Sequence, residues 1–397
     1  MHRYSIDAVR RALLLVLPLA ALGIWLWTSA RLPGPVPSQP VRSAFTQAQI
    51  DRARDYRDPG YAITGAGMAV QLAAAWLVAW RGRRIAARLP AVLGVALAVL
   101  VVELTGLPFG YWLHRRAVDI GPDVQSDGAW IGDALTGAAL VTLAIVGVYL
   151  IARPLYRRWG ALPVVVAVWA SVAVFAVLQP LVVDPLFMST SRLPVGPAGI
   201  VTALERRMDA HPSSVRVSDA SSRTTAENAE VDGLGPTVRV VIDDTALHEP
   251  APAFRALVAH ELGHVQRRHT FEGVLWFGVI GVPALLIVLW AAGRIARTSV
   301  LDASAAPVLV ACALTAATVL LPVENLISRR IEAEADWSAL RATRDGGGMV
   351  QLQRRLALRN LSNPAPPEAV VWLLFDHPTV MQRIAVARGY GGASSSP

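Results

Sequence analysis

The sequence predicts an α-helical polytopic membrane protein of about seven transmembrane helices, with a small α+β element in its polar regions. Composition is the first reason. The 397 residues are 54% hydrophobic and 17% charged, with a mean hydropathy of +0.44, where a soluble chain would be more polar. Spacing is the second. Seven apolar runs, 12–29, 62–80, 90–112, 132–152, 162–184, 273–293 and 306–326, approach the length that crosses a bilayer. Third, most of the remaining polar sequence gathers in one long loop and one C-terminal region.

The elements follow in chain order. Arg10 and Arg11 precede the first run, which ends Thr28-Ser29-Ala30, so it reads either as a span or as a cleaved signal. Residues 32–45 form a Pro-rich linker, and 46–61 are polar with mixed charge. These and the next four runs make a membrane region, 1–184, with five spans. The polar loop 185–272 comes next. In it 197–211 has helical period, with Ile200, Leu204 and Met208 on one face. Val215-Arg216-Val217-Ser218 and Val238-Arg239-Val240-Val241-Ile242 read as strands, with a turn at Gly233-Leu234-Gly235-Pro236. A helix is predicted over 251–271, with Pro252 in its first turn, where proline is tolerated. Two further spans occupy 273–326, C-terminal helices 327–390, and a disordered tail 391–397.

The formal net charge of +8 is no sign of a nucleic-acid partner. Arg81, Arg83, Arg84 and Arg88, and then Arg153, Arg157 and Arg158, lie directly beside spans, where cationic residues hold topology. The single cysteine, Cys312, lies within a span and excludes both an intrachain disulfide and a multi-cysteine zinc site.

Chemistry concentrates at His260-Glu261-Leu262-Gly263-His264. On a helix, positions i and i+4 share a face, so two imidazoles can grip one zinc ion while Glu261 stands beside them as a base. A catalytic zinc needs a third protein ligand and an open position. A third histidine six residues beyond the second is absent, because that position holds Thr270. His269 is one residue short and reads as a solvated helix-end histidine. The other source is a downstream acid. In Ser328-Arg329-Arg330-Ile331-Glu332-Ala333-Glu334-Ala335-Asp336, Glu332 and Asp336 share a helix face and Glu334 points elsewhere. One of the pair can ligate zinc while the other orients a ligand histidine.

These motifs resemble the M48 metallopeptidases, in particular the Ste24-type CAAX prenyl endopeptidases. The resemblance rests on His260-Glu261-x-x-His264 together with Ser328-Arg329-Arg330-x-Glu332-x-x-Ala335-Asp336. It is supported by Ser222-Arg223-Thr224 with Asn228-Ala229, by Val240-Val241-Ile242-x-Asp244-Thr245, and by His377-Pro378 with Arg383. It implies a gluzincin-type zinc protease element holding one Zn2+ per chain on His260, His264 and Glu332, with Asp336 behind them. It also implies that Glu261 is the general base of a zinc-activated water and that Asn228 and Ala229 lie on a strand edge pairing with peptide backbone. His377 would help hold the substrate or its developing oxyanion, with Arg383 a second donor, although on its own Arg383 reads as a solvated helix residue.

The expected partners are a peptide or protein substrate and the lipid bilayer, with no nucleic acid. Substrates of three kinds fit: prenylated, membrane-associated or misfolded chains. The absence of lysine and the abundance of Ala, Arg and Gly point to a bacterial cell membrane, where prenylated proteins are not an expected pool. Two other readings stand beside this one, a signalling zinc protease that cleaves a repressor and a non-catalytic scaffold or transporter that retains the fold. The intact Glu261 argues against the last. The resemblance turns the zinc site to the cytoplasm. The arginine bias of the short connections turns it outward.

Overall fold

The computed structural model describes residues 17–34, 36–300 and 302–393. The expected first span appears as a short apolar helix, α1, Leu17–Ser29, and its first residues, 12–16, lie outside the described ones. Four long apolar helices follow: α2 (Gln47–Arg81), α3 (Ala91–Ile120), α4 (Asp127–Trp159) and α5 (Ala161–Leu178), the last continued by short turns to Leu186. The polar stretch 46–61 is the first part of α2 rather than a separate segment. Thr46 opens this helix with a capping box, accepting from the Gln49 amide while the Gln49 side chain accepts from its own.

The polar loop then builds β1 (Thr190–Arg192), α6 (Val195–Met208), β2 (Ser214–Ser218), β3 (Ala229–Asp232), β4 (Arg239–Asp243) and α7 (Ala251–Arg267). The strands form one mixed sheet in the order β1-β2-β4-β3. β2 and β4 run parallel, and β3 pairs antiparallel with β4 in the register Ala229↔Ile242. β1 escapes the sequence reading because it is short and polar, and β3 is expected only through the strand edge that the family resemblance implies at Asn228 and Ala229. β3 is an edge strand, so one side of its backbone has no strand neighbour. Gly233 and Gly235, both at positive φ, make the turn into β4.

Two more membrane-length helices, α8 (His269–Ala296) and α9 (Ala306–Thr343), are followed by α10 (Gly346–Arg359), α11 (Glu368–Leu374) and α12 (Val380–Ala393). Because α12 runs to Ala393, the tail expected to be disordered from 391 is helical over its first three residues, and 394–397 lie outside the described residues. Altogether six helices are long and apolar enough to cross a membrane among the described residues.

Two differences from the expected layout shape the site. The helix predicted over 251–271 breaks at Arg268, whose φ of 57° is left-handed and ends α7 before α8 begins. That conformation costs a non-glycine residue about 1–2 kcal/mol. The last span does not end at 326 either, since α9 continues without a break through Glu332 and Asp336. One apolar core lies among the spans, and a second surrounds α7. Ile242, Leu262 and Leu340 are fully buried in the second core. Side chains buried this completely contribute about 1.5–3 kcal/mol each.

Gly263 lets α7 approach α9. A Cβ there would stand 3.1 Å from the Ala335 carbonyl oxygen and 3.2 Å from Ser338 Cβ. Gly263→Ala is expected to push the two helices apart and destabilise the protein by about 1–3 kcal/mol, the usual effect of overpacking. The check is a lower midpoint of thermal unfolding in detergent, and an unchanged midpoint would show that the helices have room to spare.

Candidate metal centre and active site

The break at Arg268 and the length of α9 bring two helix faces together. α7 is buried from Ala256 to Gly263, so His260 and Glu261 project into packed protein rather than solvent. His260 Nε2 lies 3.2 Å from Glu332 Oε2, and His264 Nε2 lies 3.6 Å from Glu332 Oε1. The two Nε2 atoms are 3.2 Å apart. One donor atom from each of the three residues falls within 4.8 Å of the others. Glu332 Oε2 is buried and makes no hydrogen bond among the described residues, although His377 Nε2 is also 3.2 Å away. An acceptor left unsatisfied among imidazole nitrogens is what a missing cation would leave behind. Two imidazoles and one carboxylate also match the donor set of a catalytic zinc.

Asp336 sits on the other side of His260. Its Oδ1 is 2.9 Å from His260 Nδ1, which leaves Nε2 to face the centre. Arg383 grips the same carboxylate with two nitrogens, at 2.8 and 2.6 Å. It is therefore not a solvated helix residue, because its side chain is 11% exposed and ion-paired. His269 departs from the sequence reading as well. Expected at the solvated end of a helix, it is 4% exposed, and its Nδ1 stands 3.0 Å from His264 Nδ1. Glu334 does point away from Glu332, as the helix geometry required, but toward Arg267 and His269 and into the interior.

In this geometry the titrating groups split. Burial disfavours the charged form of His260, but the Asp336 and Glu332 carboxylates outweigh it and lift its pKa to about 10. His264 is lowered well below its usual value, chiefly by burial. Burial pushes the Glu261 carboxyl up to about 7; positive neighbours led by His260 oppose the rise and the Glu332 charge adds to it. A carboxyl poised near neutrality suits a proton acceptor.

A cavity of about 630 Å³ opens beside these groups, with Asn228, Phe375, His377 and Arg383 in its wall. Asn228 is exposed at the start of β3, and Ala229 opens the strand itself. Asn360 fixes the chain just before them like a strand partner. Its Oδ1 accepts from the Glu227 amide at 2.9 Å, and its Nδ2 donates to the Glu227 carbonyl at 2.9 Å. Arg329 holds the segment ahead of His377, donating to the Val371 and Phe375 carbonyls at 3.0 and 2.5 Å. Asp376 accepts from His377 Nδ1 at 2.8 Å. Thr224 secures the loop to the α3–α4 connection, donating to the Pro122 carbonyl at 2.6 Å. Asn360 and Asp376 carry no sequence signal, because their contacts depend on residues distant in the chain or on a local turn. Arg329 and Thr224 belong to the Ser328-Arg329-Arg330 and Ser222-Arg223-Thr224 motifs, and their role in holding these loops is visible only in the fold.

Residues 200–390 match the sequence profile described as "Peptidase family M48". This region belongs to peptidase family M48. A relative in Bacillus subtilis (strain 168), named uncharacterized metalloprotease YhfN, is 24% identical over 302 residues, covering 72% of this chain and 70% of that protein. The crystal structure of S. mikatae Ste24p superposes with a TM-score of 0.70 at 16% identity, covering 94% of this chain and 96% of that one. At that identity the likeness shows the shared fold. The M48 region set among six membrane-length helices makes this chain a multi-pass membrane metalloprotease acting on peptides or proteins.

Proposed function

We propose that the chain is a Ste24-type zinc endopeptidase of a bacterial cell membrane, hydrolysing membrane-associated or misfolded polypeptides. The observation that carries this is the convergence of His260, His264 and the unsatisfied Glu332 behind His377 and Arg383, which line a cavity, with Glu261 buried beside them. His260, His264 and Glu332 would hold the zinc, which supplies a Lewis acid for water and carbonyl. Asp336 accepts from His260 Nδ1–H and, backed by Arg383, keeps Nε2 turned inward. Glu261 accepts the proton of the attacking water and returns it to the leaving amine. His377, its Nδ1 held by Asp376, donates from Nε2 to charge developing on the scissile carbonyl, and Arg383 adds positive potential at the cavity wall.

The substrate would lie extended along the free edge of β3 beginning at Asn228 and Ala229, held by its own backbone, which favours unfolded chains with little sequence preference. The cavity is bordered by Tyr56 and Tyr61 of α2 and Leu113 and Arg116 of α3, two membrane-length helices, which favours polypeptides already near the bilayer.

The test is metal removal. Protein purified in detergent should carry one zinc per chain and cleave an unstructured fluorogenic peptide. Cleavage should vanish with zinc after chelation and return when zinc is restored. Full cleavage by demonstrably zinc-free protein would defeat the proposal.

A further inference from the structure

Each ligating histidine needs an acceptor at Nδ1, so that its other nitrogen stays unprotonated toward the cation. Asp336 provides it for His260. For His264 the only atom in hydrogen-bond range of Nδ1 among the described contacts is another imidazole nitrogen, His269 Nδ1 at 3.0 Å. Two such nitrogens at that separation share one proton. If His264 Nε2 is left free for metal, the proton belongs to His264 Nδ1, and His269 Nδ1 must be the acceptor. The remaining proton of His269 then lies on Nε2. That atom is buried, makes no hydrogen bond, and faces Glu334 Oε2 across 3.8 Å. Glu334 is itself 1% exposed, and its other carboxylate oxygen accepts from Arg267 Nε.

We infer that His269, backed by the buried Glu334, is the positioning residue that fixes the tautomer and direction of His264 for metal binding. This rests on the ligand set proposed above. The two ligand histidines are thereby supported differently, one by an acid directly and the other by an acid acting through a second imidazole. The left-handed turn at Arg268 makes the contact possible. On an unbroken helix a residue five positions on points about 140° away, whereas here the left-handed residue redirects the chain and sets His269 Nδ1 against His264 Nδ1.

A second cation is the competing use of these groups, since His269, Glu272 and Glu334 offer donor atoms within 4.8 Å of one another. Three features favour the positioning role. Arg267 already neutralises Glu334, Glu272 accepts from Trp276 Nε1 at 3.1 Å, and Arg330 lines the same small pocket. With its Nδ1 accepting from His264, His269 also presents a protonated nitrogen to Glu334 rather than a lone pair to a metal.

The experiment titrates full-length, metal-stripped protein in detergent with Co2+ and Zn2+ against a competing chelator, reading affinity, stoichiometry and the visible Co2+ spectrum. His269→Leu should weaken metal binding about 10–100-fold, the range for loss of an outer partner of a ligand histidine, and should shift the Co2+ bands. His269→Asn places a carbonyl oxygen near the lost acceptor and should restore most of the affinity, which a merely space-filling role would not produce. Glu334→Gln, nearly isosteric, should weaken binding several-fold, and this variant carries the test if His269→Leu fails to fold. Wild-type affinity in both His269→Leu and Glu334→Gln overturns the inference alone. Wild-type protein that takes up no metal overturns the ligand set beneath it. Two ions per wild-type chain, falling to one in Glu272→Gln, would replace the positioning role with a second metal site.

Discussion

Glu261→Gln is expected to keep its full complement of metal and to lose cleavage by about 10²–10⁴-fold, the contribution of a positioned general base. Glutamine has nearly the same shape, so the packing around this 4%-exposed side chain is retained. The site loses only the capacity to accept a proton. Glu261 is not among the three residues whose donor atoms converge, so the metal has no reason to leave. Metal content by mass spectrometry and turnover of an unstructured peptide, measured on one preparation, decide the matter. A variant that cleaves like wild type, or one that fails because its metal is gone, would remove Glu261 from the role of base.

The second large effect separates the two acids of α9. Glu332→Ala should strip the site, lowering metal affinity beyond the roughly 100-fold that bounds the loss of an outer-sphere partner. Asp336→Ala should stay within about 10–100-fold. The difference follows from which face of His260 each acid meets. Glu332 is at Nε2, where His264 also points, and Asp336 is at Nδ1, turned away from the centre. From the sequence alone either acid could have been the ligand, because both lie on one helix face. Competition titrations of the two variants give the ranking, and the reverse order would assign the metal to Asp336.

How far the fold could be read from the sequence depended on the length scale of each signal. A span repeats its apolar character over some twenty residues, so the six membrane-length helices were visible without tertiary information. β4 was also plain, because its three central residues are apolar and buried. β1 was hidden and β3 reachable only through the family motif at Asn228 and Ala229, since both are short, polar and defined by their neighbours. The family motifs pointed to the neighbourhood of the site, and the structure shows which side chains meet there. His269 shows where reading by period fails. A helical wheel drawn through Arg268 assigns it to solvent, and a single left-handed residue reverses that assignment. Arg383 shows a second kind of failure. Arginine on a polar helix is ordinarily solvated, and only the fold reveals that a buried carboxylate 47 residues away awaits it.

The unbroken course of α9 has a mechanical meaning. Its 38 residues span about 57 Å, starting in the membrane-length segment and ending beyond Asp336. The helix carries Pro322 inside it, ten residues before Glu332, where one backbone hydrogen bond is lost, so tilting of the membrane-length segment reaches Glu332 through a helix that can bend at that point. The histidines opposite are joined to their neighbouring span through the bend at Arg268, which can absorb such movement. The two sides of the proposed metal site are thus tied to two different membrane-length helices, α8 and α9, each through its own irregular point, Arg268 on one side and Pro322 on the other.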